Sequence, residues 1–227
     1  MDYKEITEKA REVVNQAVVF IRKERERLRT EDIESKGKND FVTKIDKGSE
    51  LILVKGLKNI LKDSGFIAEE GTSTEKGAVY NWIIDPIDGT TNMIHGAPPY
   101  SVSVALAEND KIVVGIVHEI SKDECFYSWK DSVAYLNGKE IKVSKVTKVA
   151  DSLIATGFPY TDYSLMSEFN KTMDFFMKNS HGLRRLGSAA VDLAYVASGR
   201  YDAFYEYGLK AWDVAAGSFI LQQAGGL

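Results

Sequence analysis

The chain has 227 residues, 44% of them hydrophobic and 27% charged, with 29 Lys and Arg against 33 Asp and Glu for a formal charge of −4. That balance excludes a disordered chain and disfavours nucleic-acid binding through bulk positive charge. One cysteine, Cys125, excludes an internal disulfide framework, and with only His95, His118 and His181 as histidines, a bound metal would be a hard, carboxylate-held cation such as magnesium.

In chain order, Ile6, Ala10, Val13, Val14, Ala17, Val18 and Ile21 recur at helical spacing and predict a helix over about 4–29. Its tail, 22–29, mixes both signs of charge and reads as a solvated helix end rather than a nucleic-acid stripe. No leader-like start or bilayer-length apolar run is legible, so a cytoplasmic location without membrane contact is expected. A second helix is expected after Asp46, with Leu51, Ile52, Val54, Leu57, Ile60 and Leu61 inward and Gly65 ending it. Short strands at 66–69 and 80–85 each run into acidic residues.

Residues 100–107 alternate Val102, Val104 and Leu106 against Ser101, Ser103 and Ala105, and the Asn109-Asp110 turn joins them to 111–119 as a hairpin. Strands at 125–129, 133–136 and 141–143 continue the antiparallel run, with Asn137-Gly138 as a second hairpin turn. Near residue 145 the rhythm changes: strands at 152–156, 182–186 and 203–207 alternate with helices at 164–178, 188–198 and 212–224. This order predicts a layered α/β (α+β) sandwich in two halves, 1–145 and 146–227, of one unit. The chain stops at Gly225-Gly226-Leu227, where a glycine cap would normally introduce another element, so a shortened chain is expected.

Carboxylates gather where strands end: Glu69-Glu70, then Asp85 and Asp88, with Asp213 opening the last helix. Strand ends are where open sheets collect ligand-binding groups. In Asp85-Pro86-Ile87-Asp88-Gly89-Thr90-Thr91-Asn92, a tight turn would bring two carboxylates to one cavity, and Gly89 permits close backbone approach. The amides of Gly89, Thr90 and Thr91 would face a phosphate if a helix begins there. The alternative is a turn in which Asp88 and Thr90 only satisfy backbone donors.

This octamer resembles the signature of the inositol monophosphatase family, within the lithium-sensitive, magnesium-dependent phosphatases. The likeness extends to Lys36-Gly37-Lys38-Asn39-Asp40-Phe41-Val42-Thr43-Lys44-Ile45-Asp46, to Glu69-Glu70 and to Ala211-Trp212-Asp213-Val214-Ala215-Ala216-Gly217. Bacterial members are similar also at Gly187-Ser188-Ala189-Ala190 and Ala197-Ser198-Gly199-Arg200. The resemblance implies alternating α-β-α-β-α layers of the sugar phosphatase type, here lacking the usual C-terminal strand and helix, and a homodimer. It implies two or three Mg2+ ions held by Glu69, Asp85, Asp88, Asp213 and the Ile87 carbonyl.

By the same resemblance, Asp46 and Thr90 would orient the attacking water and Glu69 would take up its proton; Asp46 also fits the N-cap of the second helix. Gly89, Thr90 and Thr91 would hold the phosphate, and Gly187, Ser188, Ala189 and Glu206 would line the polyol pocket, although Glu206 also reads as a solvated edge residue. Lys36 and Glu70 would be supporting charges, the Glu70 side chain pointing away from the ions. Adjacent Arg184 and Arg185 point opposite ways on a strand, so at most one faces the site, to meet a second phosphate or an interface; surface or subunit contacts are the favoured reading for both. His95 reads as a packing or supporting residue, and Trp212 as one that packs the last helix and steadies Asp213.

The implied activity is hydrolysis of inositol monophosphate or a similar small polyol phosphate. Fructose 1,6-bisphosphate, a nucleotide 3′-phosphate and histidinol phosphate are the alternative substrates. Thr91-Asn92 looks like the inositol branch, since the nucleotide and histidinol branches more often carry lysine at the position of Thr91. A regulatory protein contacting RNA or the transcription machinery is a different class of reading, with 22–29 as its sequence support.

Overall fold

The structure is a computed structural model that describes residues 1–37, 40–73, 75–159 and 162–227. The Lys36 side chain and the Lys38-Asn39 part of the first motif lie outside the described residues. Helix α1 (Tyr3–Arg25) starts on an N-cap from Asp2, whose side chain accepts from the Glu5 amide at 3.0 Å. All seven apolar residues of its predicted stripe are buried, and the helix ends before the expected charged tail does. A hairpin absent from the sequence reading follows, with β1 (Ile33–Gly37) antiparallel to β2 (Asp40–Thr43).

Helix α2 (Lys44–Ile60) is capped by Thr43, not by Asp46. Asp46 stands three residues inside and returns a bond to the Thr43 amide at 2.8 Å, completing a capping box. The inward stripe also differs from expectation: Ile45, Asp46, Ser49, Glu50, Leu53 and Leu57 are buried, whereas Leu51 is exposed. Gly65 does not end the helix; it opens strand β3 (Gly65–Ala68), packed so close to Gly77 that a side chain would not fit.

A seven-stranded sheet forms the centre. Its order is β3, β4 (Tyr80–Asp88), β5 (Ser101–Glu108), β6 (Lys111–Glu119), β7 (Glu124–Trp129), β8 (Ala134–Leu136) and β9 (Lys139–Ile141). Only the β3–β4 pair in this sheet is parallel. Both expected hairpin turns form, with positive φ at Asn109, Asp110, Asn137 and Gly138 matching the strand twist. The Asp85–Asp88 stretch is an irregularity at the end of β4, where the register with β5 shifts. The short helix α3 (Thr90–His95) follows directly, with Gly89 at φ 95° as its N-cap.

Beyond it lie β10 (Leu153–Thr156), α4 (Met166–Asn179), β11 (Gly182–Arg184), α5 (Ala189–Ala197), β12 (Ala203–Tyr205) and α6 (Ala211–Gln223). The order β11-β10-β12 makes a second, parallel sheet. Helices α1 and α2 cover one face of the large sheet, α5 and α6 the other; the small sheet lies across α5, and α4 packs on β11. The expected α-β-α-β-α layering is therefore present. All nine residues of α5 are buried, as a helix between two sheets requires.

This layering changes the meaning of the β5 alternation. Val102, Val104 and Leu106 face the α1–α2 layer, while Ala105 and Ala107 join the α5–α6 layer. The small face, including Ser101 and Ser103, admits helices at short range rather than meeting water. Ser103 donates to the Trp212 carbonyl at 3.3 Å, and a Cβ on Gly115 of β6 would lie 2.8 Å from the Ala216 carbonyl oxygen of α6. Gly115→Val should therefore destabilise the protein by about 1–3 kcal/mol through overpacking. Urea unfolding checks this, and an unchanged midpoint would show that α6 can withdraw without cost.

Candidate active site

Four elements deliver the acidic groups to one cleft of about 360 Å³. Glu69 follows β3; Asp85, Ile87 and Asp88 end β4; Asp213 lies in the first turn of α6; Glu206 follows β12. Gly89, Thr90, Thr91, Gly187, Ser188 and Ala189 line the same cleft. Glu70 and His95 do not line it, and His95 is exposed at the end of α3 rather than packed. Of the two arginines, Arg185 lines the cleft, with its guanidinium 5.2 Å from the Phe158 ring centroid, and Arg184 is exposed. Trp212 lines the cleft and packs against the core beneath α6.

The floor is dry. Asp85 is 2% exposed and Asp88 9%, and Asp46 is fully buried. Burial pushes Asp85 well above the usual carboxylate range, reinforced by the neighbouring Glu69, Asp88 and Asp213 carboxylates and by a hydrogen bond with Glu69. Asp88 is pushed up to about 7 by burial and by Asp213, against the pull of its donors. Those donors are the Ser188 hydroxyl at 2.6 Å and the Ala190 amide at 2.7 Å, both on Oδ2. Burial also raises Asp213, whose Oδ2 accepts from the Lys210 amide at 2.5 Å.

Asp46 binds the Thr43 hydroxyl at 2.6 Å through Oδ2 and the Thr90 hydroxyl at 2.8 Å through Oδ1. It thus performs the capping function and touches the site as well. Asn92 ties α3 to the opposite wall, donating to the Pro99 and Leu186 carbonyls at 2.7 and 2.8 Å. Glu206 is half-buried, not a solvated edge residue. Its carboxylate lies where a side chain on Gly157 would stand, and burial, with Asp88 next, pushes it up to about 8.

Sequence reasoning missed three groups. Ser188, which the resemblance places on the polyol wall, gives its hydroxyl to Asp88, a contact the motif does not record. Asp192 on α5 is 1% exposed, with Oδ1 lacking a hydrogen-bond partner, and is pushed up to about 9 by burial and by Asp88 and Glu206. Glu50 is fully buried beneath the Glu69 turn. The latter two had a signal: each is an acid at a helix position whose neighbours at i±3 or i±4 are core residues.

Among the described residues, no three His, Cys, Asp or Glu side chains surround one point as a finished cation cage. The donor set nevertheless fits a hard divalent cation. Buried oxygens that repel one another hold protons above their normal range, and such an ion displaces those protons.

The pattern of the inositol monophosphatase family matches residues 2–227. The chain belongs to that family. A protein of Neisseria meningitidis serogroup B called putative Nus factor SuhB is 41% identical over 86% of this chain and 75% of its own length. An inositol-1-monophosphatase of Mesorhizobium japonicum is 38% identical over 84% of this chain and 72% of its own. Among solved structures, the Thermotoga maritima IMPase superposes with a TM-score of 0.86 at 35% identity, covering 95% of this chain and 82% of that one. The extragenic suppressor protein suhB of Bartonella henselae superposes with a TM-score of 0.88 at 33% identity, covering 94% and 83%. The family is generally metal-dependent, and membership with the IMPase-named relatives supports a phosphatase.

The raised acids make a pH prediction. Asp88 titrates near 7 when folded and near 4 when unfolded, so between those values the native state holds more protons. Stability of the metal-free protein should then fall as pH rises from 5 to 8, and Mg2+ should restore more of it at pH 8 than at pH 5. Thermal melts with and without EDTA check this; a metal-free midpoint that climbs over that range would contradict it.

Proposed function

We propose that the chain is a Mg2+-dependent phosphomonoesterase acting on inositol monophosphate or a similar small polyol phosphate. The observation that carries this reading is the meeting of four carboxylates with the Gly89–Thr91 segment in one cleft. Glu69, Asp85, Asp88 and Asp213, with the Ile87 carbonyl, would hold two or three ions, the Ser188 and Lys210 donors bonding Asp88 and Asp213 through Oδ2. Magnesium, when bound, supplies Lewis-acid activation of water and counter-charge for the leaving oxygen.

The protein's own groups then have separate tasks. The single Thr90 hydroxyl proton lies between Asp46 Oδ1 at 2.8 Å and the Ile87 carbonyl at 3.0 Å. Either bond leaves the Thr90 oxygen as an acceptor that fixes one proton of the attacking water. Glu69 takes the other proton as general base. The free amides at the start of α3 meet the phosphate, since a helix N-terminus favours an anion. Glu206 and the Gly187–Ala189 wall receive the polyol, whose hydroxyls can donate to a carboxylate.

Residues 1–145 and 146–227 act in this reading as halves of one catalytic unit, because Asp88 from the first is held by Ser188 from the second. A homodimer is part of the proposal, on the family resemblance. Residues 1–37 and the other described segments contain no helix long and apolar enough to cross a membrane.

The relatives called Nus factor SuhB keep the regulatory reading as a second one. The arginines of 22–29 give it limited support, because Arg22 and Arg25 are engaged with distant parts of the chain while the exposed Arg27 and Arg29 pair with near neighbours in sequence. Arg22 binds Asp123 at 2.8 Å, Arg25 donates to the Met93 carbonyl, and Arg29 lies 3.4 Å from Glu31.

Phosphate release from inositol 1-phosphate, with Mg2+ and with EDTA, tests the first reading. Asp88→Asn should lower the rate by about 100-fold or more, since even outer-sphere changes at metal sites cost about 10–100-fold. Equal rates in wild type and variant would remove the metal role. A panel containing fructose 1,6-bisphosphate, a nucleotide 3′-phosphate and histidinol phosphate assigns the substrate.

A further inference from the structure

Helix α2 presents three polar side chains on its inward stripe before that stripe turns apolar at Leu53 and Leu57. Asp46, Ser49 and Glu50 stand at i, i+3 and i+4, so they share one face. Each grips a different segment of the cleft. Asp46 takes Thr90 at the start of α3, and Ser49 donates to the Pro86 carbonyl at the end of β4 at 3.3 Å. Glu50 takes the turn after β3. Its Oε2 accepts from the Glu70 amide at 2.8 Å, and its Oε1 from the Thr72 amide at 2.7 Å and the Thr72 hydroxyl at 2.6 Å.

Glu50 is fully buried, and burying a carboxyl group is costly unless donors surround it. All three donors come from one short turn, and that turn begins with Glu69. The Glu69 amide is itself held by the Ile84 carbonyl of β4 at 3.2 Å. The Glu69 backbone is thereby fixed from the sheet on one side and from Glu50, one residue later, on the other. A residue whose only task was packing at this position could be a leucine, as the next stripe positions are.

We propose that Glu50 is a positioning residue: it sets the backbone from which Glu69 reaches the cation, and so controls metal affinity without touching the metal. The inference rests on the metal-dependent reading of the cleft. It adds that α2 registers the segments bearing Glu69 and Asp85–Asp88, together with the start of α3, against one another, Glu50 doing so for the turn.

The experiment compares Mg2+ binding by calorimetry in wild type, Glu50→Gln and Thr72→Val, with circular dichroism as a check on folding. Glutamine keeps the size but places an amide donor against donors of the turn. Glu50→Gln should weaken Mg2+ binding by about 10–100-fold, the range for groups that orient metal ligands. Thr72→Val removes one of the three bonds and should weaken it by about three- to tenfold. Amide exchange at Glu70 and Thr72 in EDTA should quicken in Glu50→Gln, a readout that needs no metal. If Glu50→Gln does not fold, Thr72→Val decides alone. Folded variants that bind Mg2+ within twofold of wild type overturn the positioning role. Wild type that binds no Mg2+, with slow exchange at both amides, overturns instead the metal-dependent reading on which the role rests.

Discussion

The constraint on which this structure turns is the burial of negative charge at the end of β4. Asp85 and Asp88 lie almost out of water, with Asp46 and Glu50 fully buried beside them and Asp192 above. Like charges in a low dielectric repel strongly, and each must find donors, a proton or a cation. The elements around the cleft are arranged to supply the first. Asp46 receives two threonine hydroxyls, Asp88 a serine hydroxyl and an amide, and Glu50 two amides and a hydroxyl. Asp85 is met by the Ile87 amide at 3.0 Å and by another carboxyl group, Glu69. At the Glu69–Asp85 contact one carboxyl group meets another, Asp85 is pushed well above the usual carboxylate range, and there a cation has much to gain.

The layering answers the same constraint with backbone dipoles. Helix α2 begins at Thr43, α3 at Gly89, α5 at Ser188 and α6 at Lys210, and all four N-termini border the carboxylates. Helix N-termini carry partial positive charge, which offsets the acids when the site is empty and holds an anion when it is full. In the proposed reading the cleft thus has two kinds of surface, anionic side chains that would hold cations and amide ends that would meet phosphate. Bringing α5 and α6 close enough requires the small residues on that face of the sheet, Ser101, Ser103, Ala105 and Gly115.

Much of this was legible in the sequence because it is local. The Asn109-Asp110 and Asn137-Gly138 turns need positive φ, which those residues tolerate, and the hairpins followed. The acidic octamer and the Trp212-Asp213 motif are contiguous, and the cleft contains both. What escaped is what depends on distant partners. Glu50 was hidden because Leu51 and Ile52 beside it gave an equally apolar pattern one position out of phase, and only the packed helix shows that Leu51 faces water. Asp192 lies in so apolar a helix that its charge reads as an interruption until Asp88 and Glu206 are seen across from it. The β1–β2 hairpin was masked by Lys, Asp and Gly residues that carry little strand propensity, its pairing being set by the hairpin and not by residue type.

The same division explains why reaction and substrate are unequally readable. The groups proposed to handle phosphate and water sit at strand ends and helix starts, where backbone geometry fixes them and short motifs record them. The outer wall takes Pro159, Leu165, Tyr207 and Leu209 from the connections around α4 and β12, and Phe169 from α4 itself. Connections tolerate change that strand ends do not. A polyol, a nucleoside or a second phosphate would meet this wall, where Asp162 and Lys210 are charged as well as Arg185 and Glu206. The latter two charges oppose each other: the Arg185 guanidinium pulls the Glu206 carboxyl down while Asp88 pushes it up. A neutral, hydroxyl-rich group suits that balance better than a second phosphate, which would gain from Arg185 and lose to Glu206. In the proposed reading, that opposition would suit the polyol of a monophosphate.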